Sequence, residues 1–164
     1  MILKGKAVRY GDDVNSDVII PGRYLSLTEP DELAKHAMED LDPEFFKKYE
    51  KGDIIIAGKN FGCGSSREQA AICLKYAGVG AIIAKSFARI FYRNAINQGM
   101  SIIESSEAAD AIDDGDKLEI DLRNGMIIDK TKNVRFKIMP LPQFLQEIID
   151  DDGLICNLRK KLEM

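Results

Sequence analysis

A four-residue apolar run, Ile54-Ile55-Ile56-Ala57, passes directly into Gly58-Lys59-Asn60-Phe61-Gly62-Cys63-Gly64-Ser65-Ser66-Arg67-Glu68-Gln69 and then into a helical stretch over residues 70–77. A short, unbroken apolar run bounded by glycine reads as a strand buried on both faces. A second run of the same kind, residues 81–84, follows that helix. Residues 86–97 then predict another helix, with Ser86 as its cap and Phe87, Ile90, Phe91 and Ile96 on its apolar side, and residues 101–103 another strand. Two strand–helix–strand units in tandem imply parallel pairing with right-handed crossovers.

The glycine-rich turn between the first strand and its helix has chemical uses. Gly58, Gly62 and Gly64 permit positive φ and close approach of backbone to a ligand. The first N–H groups of the helix lack intrahelical partners and carry the positive end of its dipole. Together these outline an anion pocket. Arg67, read into the first helical turn, opposes that dipole and so points to a negative charge nearby, and its planar fork suits a carboxylate. Ser65-x-x-Glu68 and Ser66-x-x-Gln69 also read as two overlapping capping boxes, which would account for both hydroxyls as caps. If Ser66 caps with Gln69, Ser65 is free to project into the pocket beside Arg67. The glycine spacing matches neither a Walker loop nor a dinucleotide fingerprint, and it misses the Gly-x-Ser-x-Gly nucleophile elbow, so carboxylate is favoured over phosphate.

The remaining segments set limits. The 164 residues predict one domain, 1–164, and a net charge of −4 gives no sign of a nucleic-acid partner. No apolar run approaches the roughly 18 residues of a spanning helix, and the amino terminus turns polar too early for a signal peptide, so a cytoplasmic protein is expected. Cys63, Cys73 and Cys156 are widely spaced without a Cys-x-x-Cys pair, which supports no zinc or self-contained iron–sulfur site. The one histidine, His36, lies in an amphipathic helical stretch over residues 31–39 and reads as a surface or structural residue. The acidic loop over residues 11–22 lacks calcium-loop spacing, and Asp17, next to its apolar run, is the candidate buried carboxylate. Beyond Asp116 the period becomes two, with Leu118, Ile120, Leu122, then Met126, Ile127, Ile128, then Val134, Phe136, Ile138, joined by turns at Asn124-Gly125 and Lys132-Asn133. Helices over residues 143–150 and 154–161 close an α/β architecture with an added antiparallel ribbon.

Three segments in fixed order carry a family resemblance: residues 60–68, the loop over residues 13–21, and Lys85-Ser86-Phe87-Ala88-Arg89-Ile90-Phe91-Tyr92-Arg93-Asn94. Together they resemble the small subunits of 3-isopropylmalate dehydratase and homoaconitase, the swivel domain of the aconitase superfamily made as a separate chain. The resemblance implies a swivelling three-layer β/β/α domain with a mostly parallel sheet. It also implies a hydro-lyase that interconverts 2-isopropylmalate and 3-isopropylmalate by dehydration and rehydration in leucine biosynthesis. This chain would bind no cofactor and ligate no metal. A large subunit, joined as heterodimer or heterotetramer, would hold a 4Fe–4S cluster whose iron acts as Lewis acid on the departing hydroxyl.

Carried onto this sequence, the resemblance makes Ser65 the base that removes the proton next to a carboxylate. Arg67 would bind substrate carboxylate and support the ionised serine, with Ser66 as a pocket donor between them on the Gly62 and Gly64 loop. Asp17 would stand at the site's edge. Tyr24-Leu25-Ser26-Leu27 would read the substrate's side chain. Relatives that handle homoaconitate resemble Tyr-Leu-Arg-Thr there, and Ser26 replaces that arginine, which favours an apolar substituent over an extra carboxylate. A homoaconitase or a dimethylmalate or citraconate-type dehydratase is the alternative reading, and a non-catalytic carboxylate-binding scaffold is the alternative of another class. Arg89 and Arg93, spaced i and i+4, repel mildly on a solvated face and so suggest carboxylate binding or contact with a subunit.

Overall fold

In the computed structural model, which describes residues 1–163, strand β1 (Ile2–Arg9) serves two ladders along its length. Its carboxyl end pairs in parallel with β2 (Ile54–Ala57), Ala7 opposite Ile54 and Arg9 opposite Ile56. Its amino end pairs antiparallel with β5 (Lys117–Asp121), Ile2 opposite Asp121 and Lys6 opposite Lys117. On one side the sheet continues in parallel to β3 (Ala81–Ala84) and β4 (Ile102–Glu104). On the other it continues antiparallel through β6 (Met126–Asp129) and β7 (Val134–Lys137). The seven strands run in the order β4-β3-β2-β1-β5-β6-β7, so the ribbon is an extension of the parallel sheet through β1.

The continuous apolar runs are explained by what covers each face. Ile55 and Ala57 of β2 and Ile82 and Ala84 of β3 pack into one core with helices α2 (Pro30–Ala34), α4 (Glu68–Tyr76), α5 (Arg89–Asn97) and α7 (Gln143–Asp150). Ile54, Ile56, Ala81 and Ile83 point the other way, into a second core with Leu118, Ile120, Ile127 and Phe136 of the ribbon and Ala108 of α6 (Ser106–Ala111). Parallel strands therefore lie between helices on one face and the folded ribbon on the other, which is three layers. Each fully buried isoleucine contributes about 1.5–3 kcal/mol. β5 alternates as its sequence requires, with Leu118 and Ile120 inward and Lys117 out.

Three local expectations change. The helix expected over residues 31–39 stops after Ala34, because Met38 turns to positive φ and gives its N–H to the Ile19 carbonyl at 2.9 Å, burying its own side chain. The helix expected from Ser86 starts at Arg89, with Ala88 as its flanking residue. Ser86 is used elsewhere, its hydroxyl accepting the Asn60 N–H at 2.9 Å and its carbonyl the Phe61 N–H at 3.1 Å. Ile90 is half exposed, at 50 %, while Phe91 and Ile96 of the same helix are buried. The remaining helices are α1 (Ser16–Ile19), α3 (Phe45–Lys48) and α8 (Leu154–Leu162).

Candidate active site

Three loops leave the carboxyl ends of β1, β2 and β3, the place where open parallel sheets bind ligands. The first two stay laced together beyond their strands. Gly58 donates to the Gly11 carbonyl at 3.0 Å, Asp13 to Lys59 at 2.8 Å, Gly62 to Val14 at 2.8 Å and Ser16 to Cys63 at 2.8 Å, all through backbone N–H groups. The third loop clasps the other side, where Lys85 donates to the Gly58 carbonyl at 3.0 Å and Ala88 to Phe61 at 2.9 Å. Phe61 meets Phe87 and Phe91 edge-on beneath this junction. Gly62 carries φ +83°, and a Cβ there would lie 2.2 Å from the Phe91 ring, so only glycine fits. Gly58 has no positive φ; a Cβ there would lie 1.8 Å from Asp12 Oδ1, so a larger residue would push away the oxygen that accepts the Lys59 N–H.

The loops enclose a cavity of about 210 Å³. Gly62, Gly64, Ser65, Ser66 and Arg67 line one side and Ala88, Arg89, Ile90 and Phe91 the other, with Ser16 below. Arg67 has an extended backbone and flanks α4, whose first residue is Glu68. No side chain caps that helix, so neither capping box forms. The reason is tertiary: the buried Ser16 hydroxyl, 1 % exposed, donates to the Ser65 carbonyl at 2.6 Å and holds the serine pair outside the helical turn. Ser65 and Ser66 are both exposed to the cavity.

The Arg67 guanidinium is largely buried, its side chain 20 % exposed, with Nη1 at 2.8 Å from Asp17 Oδ1 and 3.3 Å from the Ile20 carbonyl. Asp17 itself is not the buried carboxylate, since its side chain is 56 % exposed. Asn15 caps α1 by accepting from the N–H groups of Asp17 and Val18, which turns Ser16 inward and Asp17 outward. An ion pair so exposed contributes about 0–1 kcal/mol, so its effect is to orient the arginine. The Cys63 thiol, half-buried in the same loop, is pushed up by burial and by Asp13, which keeps it protonated at neutral pH.

Residues 24–27 begin beside this centre, for a Cβ on Gly22 would lie 3.6 Å from Arg67 Nη2. They do not line the cavity. Tyr24 donates its hydroxyl to Glu39 at 2.6 Å and stacks on His36 with ring centroids 3.6 Å apart. Burial alone would raise Glu39, but hydrogen bonds from Tyr24, His36 and Arg23 outweigh it and hold that carboxyl below its ordinary value. Leu25 and Leu27 are half-buried against the helical core, and Ser26 is exposed. The structure thus brings Gly62, Gly64, Ser65, Ser66 and Arg67 together, adds Asp17 through Arg67, and leaves Tyr24, Leu25, Ser26 and Leu27 at the rim.

Ser16 is the cavity residue that sequence reasoning missed. Its signal was Asn15, a residue type that caps helices and so places Ser16 at the first helical position. A larger cavity, about 420 Å³, lies between β4 and the 138–142 segment, but its walls are mostly apolar and it holds none of the serine and arginine groups. Among the described residues no group of three or more His, Cys, Asp or Glu side chains converges on a metal position, and no helix is long and apolar enough to cross a membrane.

Known proteins are similar to this chain in sequence and in fold. Residues 16–108, which contain all three loops' site residues except those before position 16, match the Aconitase C-terminal domain family. The chain is 59 % identical over 163 residues to the 3-isopropylmalate dehydratase small subunit of Caldicellulosiruptor bescii, covering 99 % of this chain and 98 % of that protein. It is 55 % identical over 151 residues to the 3-isopropylmalate dehydratase small subunit 1 of Archaeoglobus fulgidus, covering 92 % and 93 %. A crystal structure titled 3-isopropylmalate dehydratase, from Methanocaldococcus jannaschii, superposes with a TM-score of 0.94 at 52 % identity, covering 99 % of this chain and 96 % of that one.

Proposed function

The chain belongs to the family of 3-isopropylmalate dehydratase small subunits, built on the aconitase C-terminal domain, and from that membership we propose how it interconverts 2-isopropylmalate and 3-isopropylmalate. It is one subunit of a hydro-lyase, and a small subunit implies a larger partner. The observation that carries the mechanism is the meeting of Ser65 and Arg67 in one cavity at the carboxyl end of β2.

A serine hydroxyl is a weak base in water. Here the Arg67 guanidinium and the unpaired first N–H groups of α4 favour its alkoxide once a partner closes the cavity to solvent. Ser65 Oγ then takes the proton from the carbon next to a carboxylate, and on rehydration returns it to the other carbon. Ser66 donates to the carboxylate held at Arg67, and Asp17 keeps that arginine in place. The three cysteines stand in a loop, inside α4 and on exposed α8, so they do not fit a cluster's ligand set. A large-subunit partner would hold the 4Fe–4S cluster, whose iron would supply Lewis-acid chemistry at the departing hydroxyl. Ser26 is uncharged at the rim, which favours the isopropyl substituent over the extra carboxylate of homoaconitate.

The test is an anaerobic assay on 3-isopropylmalate with each subunit alone and mixed. Turnover is expected only in the mixture. Ser65→Ala is expected to leave assembly intact and reduce kcat by about 10²–10⁴-fold, the range of a positioned general base. A near-wild-type rate from that variant would remove Ser65 from the role.

A further inference from the structure

We propose that Arg89 is a second carboxylate-binding residue of the cavity, holding the substrate carboxylate that Arg67 does not. The inference rests on the dehydratase reading above and adds to it the residue that receives the other end of a dianion.

The charge balance of the cavity carries the argument. Arg67 is already compensated, with one nitrogen on Asp17 at 2.8 Å and on the Ile20 carbonyl at 3.3 Å. Every other lining residue except Arg89 is uncharged. The ion pairs among the described residues include Arg67 with Asp17 and the nearby Lys85 with Asp110, and none engages Arg89. Among the described residues that this chain contributes to the cavity wall, Arg89 is therefore the one charge without an ionic partner. A substrate with two carboxylates brings two negative charges, which a neutralised Arg67–Asp17 pair alone does not balance.

Its placement adds a second reason. Arg89 opens α5, where a cation opposes the helix dipole, and no acidic residue stands in that first turn to relieve it. The equivalent conflict at α4 is relieved twice, by Glu68 in the first turn and by Asp17 beside Arg67. A bound carboxylate relieves the one at α5. The backbone that carries Arg89 is fixed, since the Phe61 carbonyl accepts the Ala88 N–H across the loop and Phe91 fills the space under Gly62. Ile90, half exposed beside it, offers apolar surface to an aliphatic substituent. A guanidinium so placed takes a carboxylate through two parallel N–H donors, a geometry that lysine lacks. Arg93, the other member of the pair, lies one turn further along and does not line the cavity.

The test uses the assembled two-subunit enzyme. Arg89→Gln is expected to raise KM for 3-isopropylmalate about 10- to 100-fold, the loss of a hydrogen bond to a charged group. Arg89→Lys should recover part of that loss and Arg93→Gln should change KM little. Competitive inhibition separates charge from shape: wild type is expected to prefer 2-isopropylsuccinate over 4-methylpentanoate, which lacks one carboxylate, and Arg89→Gln to lose that preference. Subunit affinity, measured by sedimentation, should not change. An unchanged KM overturns the assignment, and so does a loss confined to subunit affinity, which would make Arg89 a partner contact. Wild-type inactivity on 3-isopropylmalate would instead refute the dehydratase reading itself.

Discussion

The Ser16 hydroxyl reaches the Ser65 carbonyl at 2.6 Å from a side chain that solvent barely touches, so it fixes the peptide that aims Ser65. Ser16→Ala leaves that carbonyl without its donor, at a cost of about 0.5–1.5 kcal/mol because Ser65 is open to solvent. Because the bond holds the serine pair clear of α4, the loss shifts Ser65 more than it loosens the fold. The expected result is a kcat lower by about 10- to 100-fold, the penalty for roughly 1 Å of misplacement. KM and subunit assembly should change little, and Ser16→Thr, which keeps the hydroxyl, should restore most of kcat. Steady-state kinetics of the two variants decide it. At this scale the sequence pointed to the residue types that line the cavity, because serine, arginine and glycine on one turn have few shared uses. Asp17 was misjudged because Asn15 was not read as the cap of α1, where it accepts the N–H groups of Asp17 and Val18 and turns Asp17 outward.

Helix starts show how tertiary bonds override local ones. Ser105 caps α6 by accepting the Ala108 N–H at 3.2 Å, whereas Ser66 caps nothing although it stands three residues before Gln69. Ser105→Ala is therefore expected to cost about 1 kcal/mol, or a melting temperature lower by about 2–4 °C for a chain of this size. Ser66→Ala should stay within about 0.5 kcal/mol of wild type. Paired thermal melts of the two variants check the contrast, and equal losses would mean that α4 is capped after all. The same cause set the limits of legibility. β2, β3 and α7 fall where apolar period and proline place them, over residues 54–57, 81–84 and 143–150. The starts of α4 and α5 shift because Ser16 and Asn60, distant in sequence, engage the segments carrying the serines that local reading assigned as caps.

At the scale of the molecule, β1 joins two cores, and its partners were not legible because a strand's own alternation does not say which strands flank it. Gly5 shows how tight that junction is: a Cβ there would lie 2.3 Å from the Gly52 carbonyl oxygen. The ribbon that closes the second core ends on a buried acid pair, Asp129 at the end of β6 and Asp116 just before β5. Asp129 Oδ1 accepts the N–H groups of Thr131 and Lys132 at 3.0 Å each, while its Oδ2 has no hydrogen-bond partner. Burial, with the Asp116 carboxylate beside it, pushes Asp129 above its ordinary value. Asp116 goes the other way: burial would raise it, but the Asp113 N–H and Lys132 outweigh that and hold it down. The two acids therefore make opposite contributions to stability. Asp129 stabilises fully below the unfolded carboxyl value of about 3.9 and loses that contribution as pH rises through its raised value. Asp116 stabilises above about 3.9 and loses its contribution as pH falls through its lowered value. Asp129→Asn keeps the Oδ1 acceptor, replaces the unpartnered Oδ2 with an amide beside the Asp116 carboxylate, and leaves no charge to bury. Urea unfolding of both proteins from pH 3 to 8 should show the variant gaining on wild type as pH rises, reaching an advantage of about 1–3 kcal/mol near neutrality, the penalty of one unsatisfied buried polar group. A difference that stays constant across that range would mean that Asp129 ionises as it does in the unfolded chain, and that the ribbon closes over a charge compensated by Lys132.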